Sequence, residues 1–100
     1  MKTLLACLSL LTLTYGNGLW AQDSSRGKTL FKTCVQCHGN SGEGKIEKSA
    51  PRIGGQHDWY IYSTLNLFKS GTRKNPDMNP YIANLTDQDF KDLAAYVSKL

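Results

Sequence analysis

A chain of 100 residues, 40% hydrophobic and with a formal net charge of +4, has room for one domain and no more. Its 12 Lys and Arg residues are scattered among 8 Asp and Glu, without the basic cluster that a nucleic-acid partner requires, so none is expected. No internal repeat or low-complexity linker divides it.

The start reads as a leader. Lys2 supplies a short positive opening, and Leu4 to Leu13 is an apolar run too short to span a bilayer comfortably. Leu19-Trp20-Ala21 then precedes Gln22. The expectation is a secretory signal over residues 1–21, cleaved after Ala21, with Gly16-Asn17-Gly18 as the alternative site and residues 22–100 as the mature domain. Leu4-Leu5-Ala6-Cys7 imitates a lipoprotein box, but it stands too near the start to leave an apolar run before it. Cleavage removes Lys2 and Cys7 and leaves a net charge of +3. The product would be periplasmic, with no stable membrane insertion. A domain this short seldom stabilises itself with side chains alone.

Gly27, Leu30, Phe31 and Cys34 recur at helical spacing and predict a first helix from about Ser25 to Val35. Inside a helix Gly27 costs about 1 kcal/mol relative to Ala. Its presence therefore points to close approach by another backbone, for which the C-terminal helix is the expected partner. The predicted helix ends in Cys34-Val35-Gln36-Cys37-His38. This C-x-x-C-H pattern is the attachment signature of a c-type haem. Two thiols one helical turn apart can form thioethers with two vinyl groups, and the histidine beside the second can ligate iron from under the ring.

Three other readings compete. A redox dithiol needs a βαβ setting, and no strand pattern surrounds the motif. Zinc would draw on Cys34, Cys37, His38 and His57, yet adjacent Cys37 and His38 cannot easily both face one tetrahedral ion. A Cys34–Cys37 disulfide would close a loop too tight to stabilise much. Haem attachment is favoured, and a covalent apolar cofactor supplies the core that so short a chain lacks.

Gly39 to Gly44 reads as a flexible loop, and Ala50-Pro51-Arg52-Ile53-Gly54-Gly55 as extended and turn-like, because Pro51 disfavours helix before it. A second helix is predicted over Asp58 to Ser70, with Ile61, Leu65 and Phe68 inward, Trp59 and Tyr62 beside them, and Gly71 ending it. Residues 72–84 hold two prolines and read as irregular chain, making a helix through Met78 implausible. In the last helix Thr86 is the N-cap, Asp89 completes a capping-box variant, and Leu85 and Phe90 form a staple. Phe90, Leu93, Ala94 and Val97 face the core. The fold class is all-α, three main helices around one haem.

The second axial position on iron has two candidates. Met78 is the sole methionine besides Met1, and it sits in a polar, proline-bounded loop where a core-filling methionine is unusual. His57 opens a helix, a place that suits a surface or capping residue. A vacant position is the third possibility. Met/His ligation raises the potential and closes iron to small ligands, whereas a vacancy favours gas or peroxide chemistry.

At this point the chain resembles a class I cytochrome c and, within that class, the bacterial c4 and c553 group. The segments that carry the resemblance are Cys34 to Gly39, Pro51 to His57 with Tyr60, Phe68 to Arg73, Met78, and Leu85 to Asp89 running into Leu93-Ala94-Ala95-Tyr96. It implies that Cys34 and Cys37 hold the haem while His38 and Met78 ligate iron. It further implies that the Pro51 carbonyl accepts the other imidazole N–H of His38 and that Gly27 and Phe31 cross Leu93 and Tyr96. Arg73 is a possible propionate contact. Cytochrome c4 proper is a tandem of two domains, and this chain has one motif, which argues for a single-haem carrier or a self-associating half. The expected function is single-electron transfer between redox proteins that dock transiently at an exposed haem edge, by a monomer or weak self-associate and without enzymatic activity. The alternative is a peroxidase-like enzyme or gas sensor with open iron.

Overall fold

The computed structural model describes residues 21–100, so the expected leader lies outside it apart from Ala21. Five α-helices follow in order: α1 (Ser24–Phe31), α2 (Val35–His38), α3 (Asp58–Ser70), α4 (Asn79–Ile82) and α5 (Asp87–Val97). A single 3-10 turn spans Ile46–Lys48. Among the described residues β pairing is confined to one isolated bridge, Lys45 with Ala50. The all-α class expected from the sequence is what the chain forms, with α1, α3 and α5 as its main helices.

α5 is the central element, packed against both α1 and α3. Its start has the capping box in full: Thr86 accepts from the Asp89 N–H at 3.2 Å, and Asp89 Oδ2 accepts from the Thr86 N–H at 2.8 Å. Phe90, Leu93, Ala94 and Val97 are buried together with Phe31, Ile61, Leu65, Phe68 and Ile82. Leu85, half-buried, packs against this cluster. At the end of α3, Gly71 takes φ 78°, and its N–H closes the helix on the Phe68 carbonyl at 3.1 Å.

At the α1–α5 crossing the two backbones nearly touch. A Cβ on Gly27 would stand 2.0 Å from the Asp92 carbonyl oxygen and 2.9 Å from Tyr96 Cβ, so no larger residue fits there without parting the helices. One turn further along α1, Phe31 meets Tyr96 with ring centroids 5.4 Å apart. Arg26 clamps the crossing, donating to Asp92 Oδ2 at 2.8 Å and to Asp89. Asp92, buried, also accepts from the Asp23 N–H and the Gln88 amide, both at 2.9 Å. Burial pushes the Asp92 carboxyl up, but Arg26, Asp23 and Gln88 together outweigh it and hold the group below the usual range. Asp89 is likewise lowered, its burial overcome by the Thr86 N–H and Arg26.

Four local expectations need correction. The first helix stops at Phe31 instead of reaching Val35: the Cys34 N–H bonds back to the Phe31 carbonyl at 2.8 Å, a tight turn that re-aims the chain before α2. Residues 72–84 are not irregular throughout: α4 forms over Asn79–Ile82 with Met78 as its N-cap, because Pro80 falls in the first turn, where a missing N–H costs nothing. Gly39 to Gly44 is tied down by bonds from the Ile53 and Gly54 N–H groups to the Gly42 carbonyl, at 2.8 and 2.9 Å. Trp59 is 60% exposed, since a position two residues before Ile61 points away from the buried stripe.

Candidate haem site

The turn at residues 32–34 delivers the motif. Cys34 caps α2, the His38 N–H bonds to the Cys34 carbonyl at 2.9 Å, and the Gly39 N–H to that of Val35 at 2.8 Å. Both thiols are free and half-buried. Burial pushes the Cys34 thiol up, more than the Thr33 hydroxyl near it offsets.

His38 is buried, and its Nδ1 lies 2.9 Å from the Pro51 carbonyl oxygen. A carbonyl only accepts, so Nδ1 donates this bond, and in the neutral imidazole Nε2 is then the nitrogen with the lone pair. Pro51 is itself positioned. Lys45 and Ala50 exchange N–H···O bonds at 3.0 and 3.1 Å, and the Gly44 N–H returns to the His38 carbonyl at 2.7 Å. The segment after the motif thus folds back and fixes the imidazole.

These residues open onto a cavity of ≈ 530 Å³. Cys34, Cys37, His38, Pro51, Arg73 and Met78 all line it, so the structure brings together the site residues that the sequence nominated. Ile53, Ile61, Phe68 and Ile82 add apolar wall. Met78 is half-buried against the core cluster. His57 lies outside the lining, at the start of α3, where its ring stacks on Trp59 at 5.8 Å. Arg73 places its guanidinium 4.8 Å from the centre of the Phe68 ring.

Three contributors escape the sequence reading. Asn75 organises the turn before α4: its side-chain oxygen accepts from the Asp77 N–H at 3.0 Å and the Met78 N–H at 3.4 Å, while its carbonyl accepts from the Asn79 N–H at 2.9 Å. The Asn-Pro dipeptide at Asn75 was the available signal. Arg52 and Tyr81 also line the cavity, and nothing local to either position announces it.

The donor set suits haem c. Two thiols one turn apart, an imidazole with its distal nitrogen available and a thioether share one apolar cavity, with Lys48, Arg52 and Arg73 on its lining to meet carboxylates.

The cytochrome c family model matches residues 24–100. The chain belongs to the cytochrome c family. Cytochromes of this family carry iron in covalently bound haem c. The chain is 35% identical to cytochrome c-553 of Helicobacter pylori, an alignment that covers 100% of this chain and 99% of that one. It is 36% identical to cytochrome c-552 of Acidithiobacillus ferridurans over 84% of this chain, but spans only 40% of that relative. The solved cytochrome c4 of Acidithiobacillus ferrooxidans superposes with a TM-score of 0.71 at 37% identity, covering 77% of this chain and 49% of that one. This cytochrome c therefore spans about half the length of some relatives and nearly all of another.

Proposed function

We propose that this cytochrome c is a periplasmic electron carrier in which Cys34 and Cys37 hold one haem c and His38 and Met78 ligate its iron. The observation that carries the proposal is the convergence of all four side chains on one cavity, with His38 Nδ1 already engaged by Pro51. The haem, when bound, supplies an iron that gains or loses one electron without proton transfer.

The chain's own residues do the rest. Pro51 holds the imidazole in one tautomer and orientation, keeping Nε2 free for the metal. Asn75 fixes the backbone at Met78, so its thioether is presented from a bonded turn rather than from loose chain. Ile53, Ile61, Phe68 and Ile82 keep water from the ring, which favours the less charged reduced state. Arg73, on the cavity lining, would be placed to meet a propionate. Held by both His38 and Met78, the iron would have no open position, and the protein would pass electrons between redox partners that dock briefly.

Residues 1–21 act as the export signal and residues 22–100 as the working domain. Among the described residues no helix is long and apolar enough to cross a membrane. The mature protein works in the periplasm as a monomer or weak self-associate.

The test is direct. The mature protein should retain haem stain on a denaturing gel, start at Gln22 by intact mass, and show reduced-state absorbance that carbon monoxide leaves unchanged. Ready carbon monoxide binding to the native reduced protein would favour the open-iron reading instead.

A further inference from the structure

Met78 reaches the cavity on a strap. Residues 72–84 run from the end of α3 to the start of α5, with α4 inside them and Met78 at their middle. The two arms of the strap are held differently. The outgoing arm is bonded backbone to backbone: the Gly71 N–H meets the Phe68 carbonyl at 3.1 Å, and the Arg73 N–H meets the Leu67 carbonyl at 3.0 Å. The Arg73 guanidinium then lies over the Phe68 ring.

The returning arm is tied by a side chain. Lys69 Nζ donates to the carbonyl of Leu85, 16 residues further along. Leu85 is where the strap ends, since its own N–H bonds to the Ile82 carbonyl at 3.0 Å and Thr86 opens the capping box of α5. The same ammonium stands 5.6 Å from the centre of the Phe90 ring, which is wholly buried. One lysine therefore joins the last turn of α3, the end of the strap and the first turn of α5. Ile82 and Leu85 also pack on the core, but apolar contact is non-directional and leaves the arm free to slide.

We propose that Lys69 is the clasp of the Met78 strap, a positioning residue that sets how rarely Met78 leaves the iron. The proposal rests on the reading of Met78 as an axial ligand and names the group that keeps it in place. A competing ligand enters on that face only while the strap is open, so its entry reports the opening equilibrium. A hydrogen bond from a charged donor, with a cation over an aromatic ring, supports about a tenfold bias toward the closed strap.

The test uses the ferric holoprotein with free imidazole as the competing ligand, followed in the visible spectrum by stopped flow. Lys69→Leu removes the ammonium and keeps an apolar stem, and it should admit imidazole about tenfold faster than wild type. Lys69→Arg can still donate to Leu85 and cover Phe90, so it should restore the rate to within about twofold of wild type. Two controls should leave the rate unchanged. Lys74→Leu removes a charge from the strap itself, and Gly27→Ala, studied below its unfolding transition, loosens the α1–α5 crossing instead. Amide exchange at Ala83, whose N–H bonds to the Asn79 carbonyl at 3.0 Å, should quicken about tenfold in Lys69→Leu, while exchange at Leu65 in α3 should not. Lys69→Leu with both imidazole entry and Ala83 exchange within about twofold of wild type would overturn the clasp. So would equal acceleration in either control, or no rescue by arginine. Quickened Ala83 exchange, with imidazole entering wild type as fast as Met78→Ala, would overturn Met78 as the ligand and leave Lys69 as the clasp of the strap, so the two failures are separable.

Discussion

The α1–α5 crossing and the haem cavity are built on opposite principles. At the crossing, protein meets protein everywhere: Gly27 lies on the Asp92 backbone, Phe31 on Tyr96, and Arg26 joins two carboxylates of α5. At the cavity, Ile53, Ile61, Phe68 and Ile82 border a space of ≈ 530 Å³. One region is finished by the polypeptide alone. The other is finished only around a flat apolar group, which explains how so short a chain secures a core.

Removing the covalent anchor should break the comparison most severely. Cys34→Ala with Cys37→Ala should abolish haem staining and, because the cavity then has nothing fixed to enclose, lower the melting temperature more than any crossing variant. If far-ultraviolet dichroism and melting stay at wild-type values without covalent haem, the cavity half stands by itself and the contrast fails.

Gly27→Ala attacks the finished region. A methyl 2.0 Å from a carbonyl oxygen forces α1 and α5 apart, an overpacking cost of about 2–3 kcal/mol that the better helix propensity of Ala only partly offsets. Denaturant titration should show the loss while the visible spectrum below the transition stays unchanged. Asp92→Asn, which removes a buried charge partner of Arg26, should cost about 1–3 kcal/mol by the same measurement.

The crossing should also be the acid-sensitive half. Asp89 and Asp92 both have carboxyls lowered in the folded state, so the unfolded chain binds protons first. Their stabilisation is complete above the unfolded carboxylate range near pH 4 and is lost as pH falls through the lower folded values. Melting temperatures measured from about pH 6 down to pH 2 should fall less steeply in Asp92→Asn than in wild type. A parallel decline would assign acid sensitivity elsewhere.

The gentlest change touches the cavity without unbuilding it. Met78→Ala should leave the haem covalently held, admit carbon monoxide, and lower the potential by a sizeable part of the roughly 0.8 V that axial ligands span. His57→Ala should leave spectrum and potential unchanged, because that residue stacks on Trp59 outside the cavity. Spectroelectrochemical titration of both variants sharpens which side chains belong to the site.

What the sequence determined by itself is whatever acts over a few residues. The Cys34 to His38 motif, the Thr86–Asp89 capping box, the Gly71 ending and the Asp58–Ser70 helix follow from spacing, caps and backbone preference. Gly27 was legible as a close approach for the same reason, since only a missing Cβ explains a glycine inside an apolar helical stripe. The tertiary structure decided the rest. Whether α1 continues to Val35 or turns at Phe31, and whether Gly39 to Gly44 hangs loose or is bonded to Ile53 and Gly54, depends on hydrogen-bond partners far along the chain. Tyr81 reaches the cavity because α4 borders it, and Arg52 because the segment after the motif folds back onto His38, juxtapositions that no local pattern encodes. The turn after the motif is the same case: Ile46 is 96% exposed on it, and neither the bridge between Lys45 and Ala50 nor the φ of 51° at Ser49 is visible in residue order.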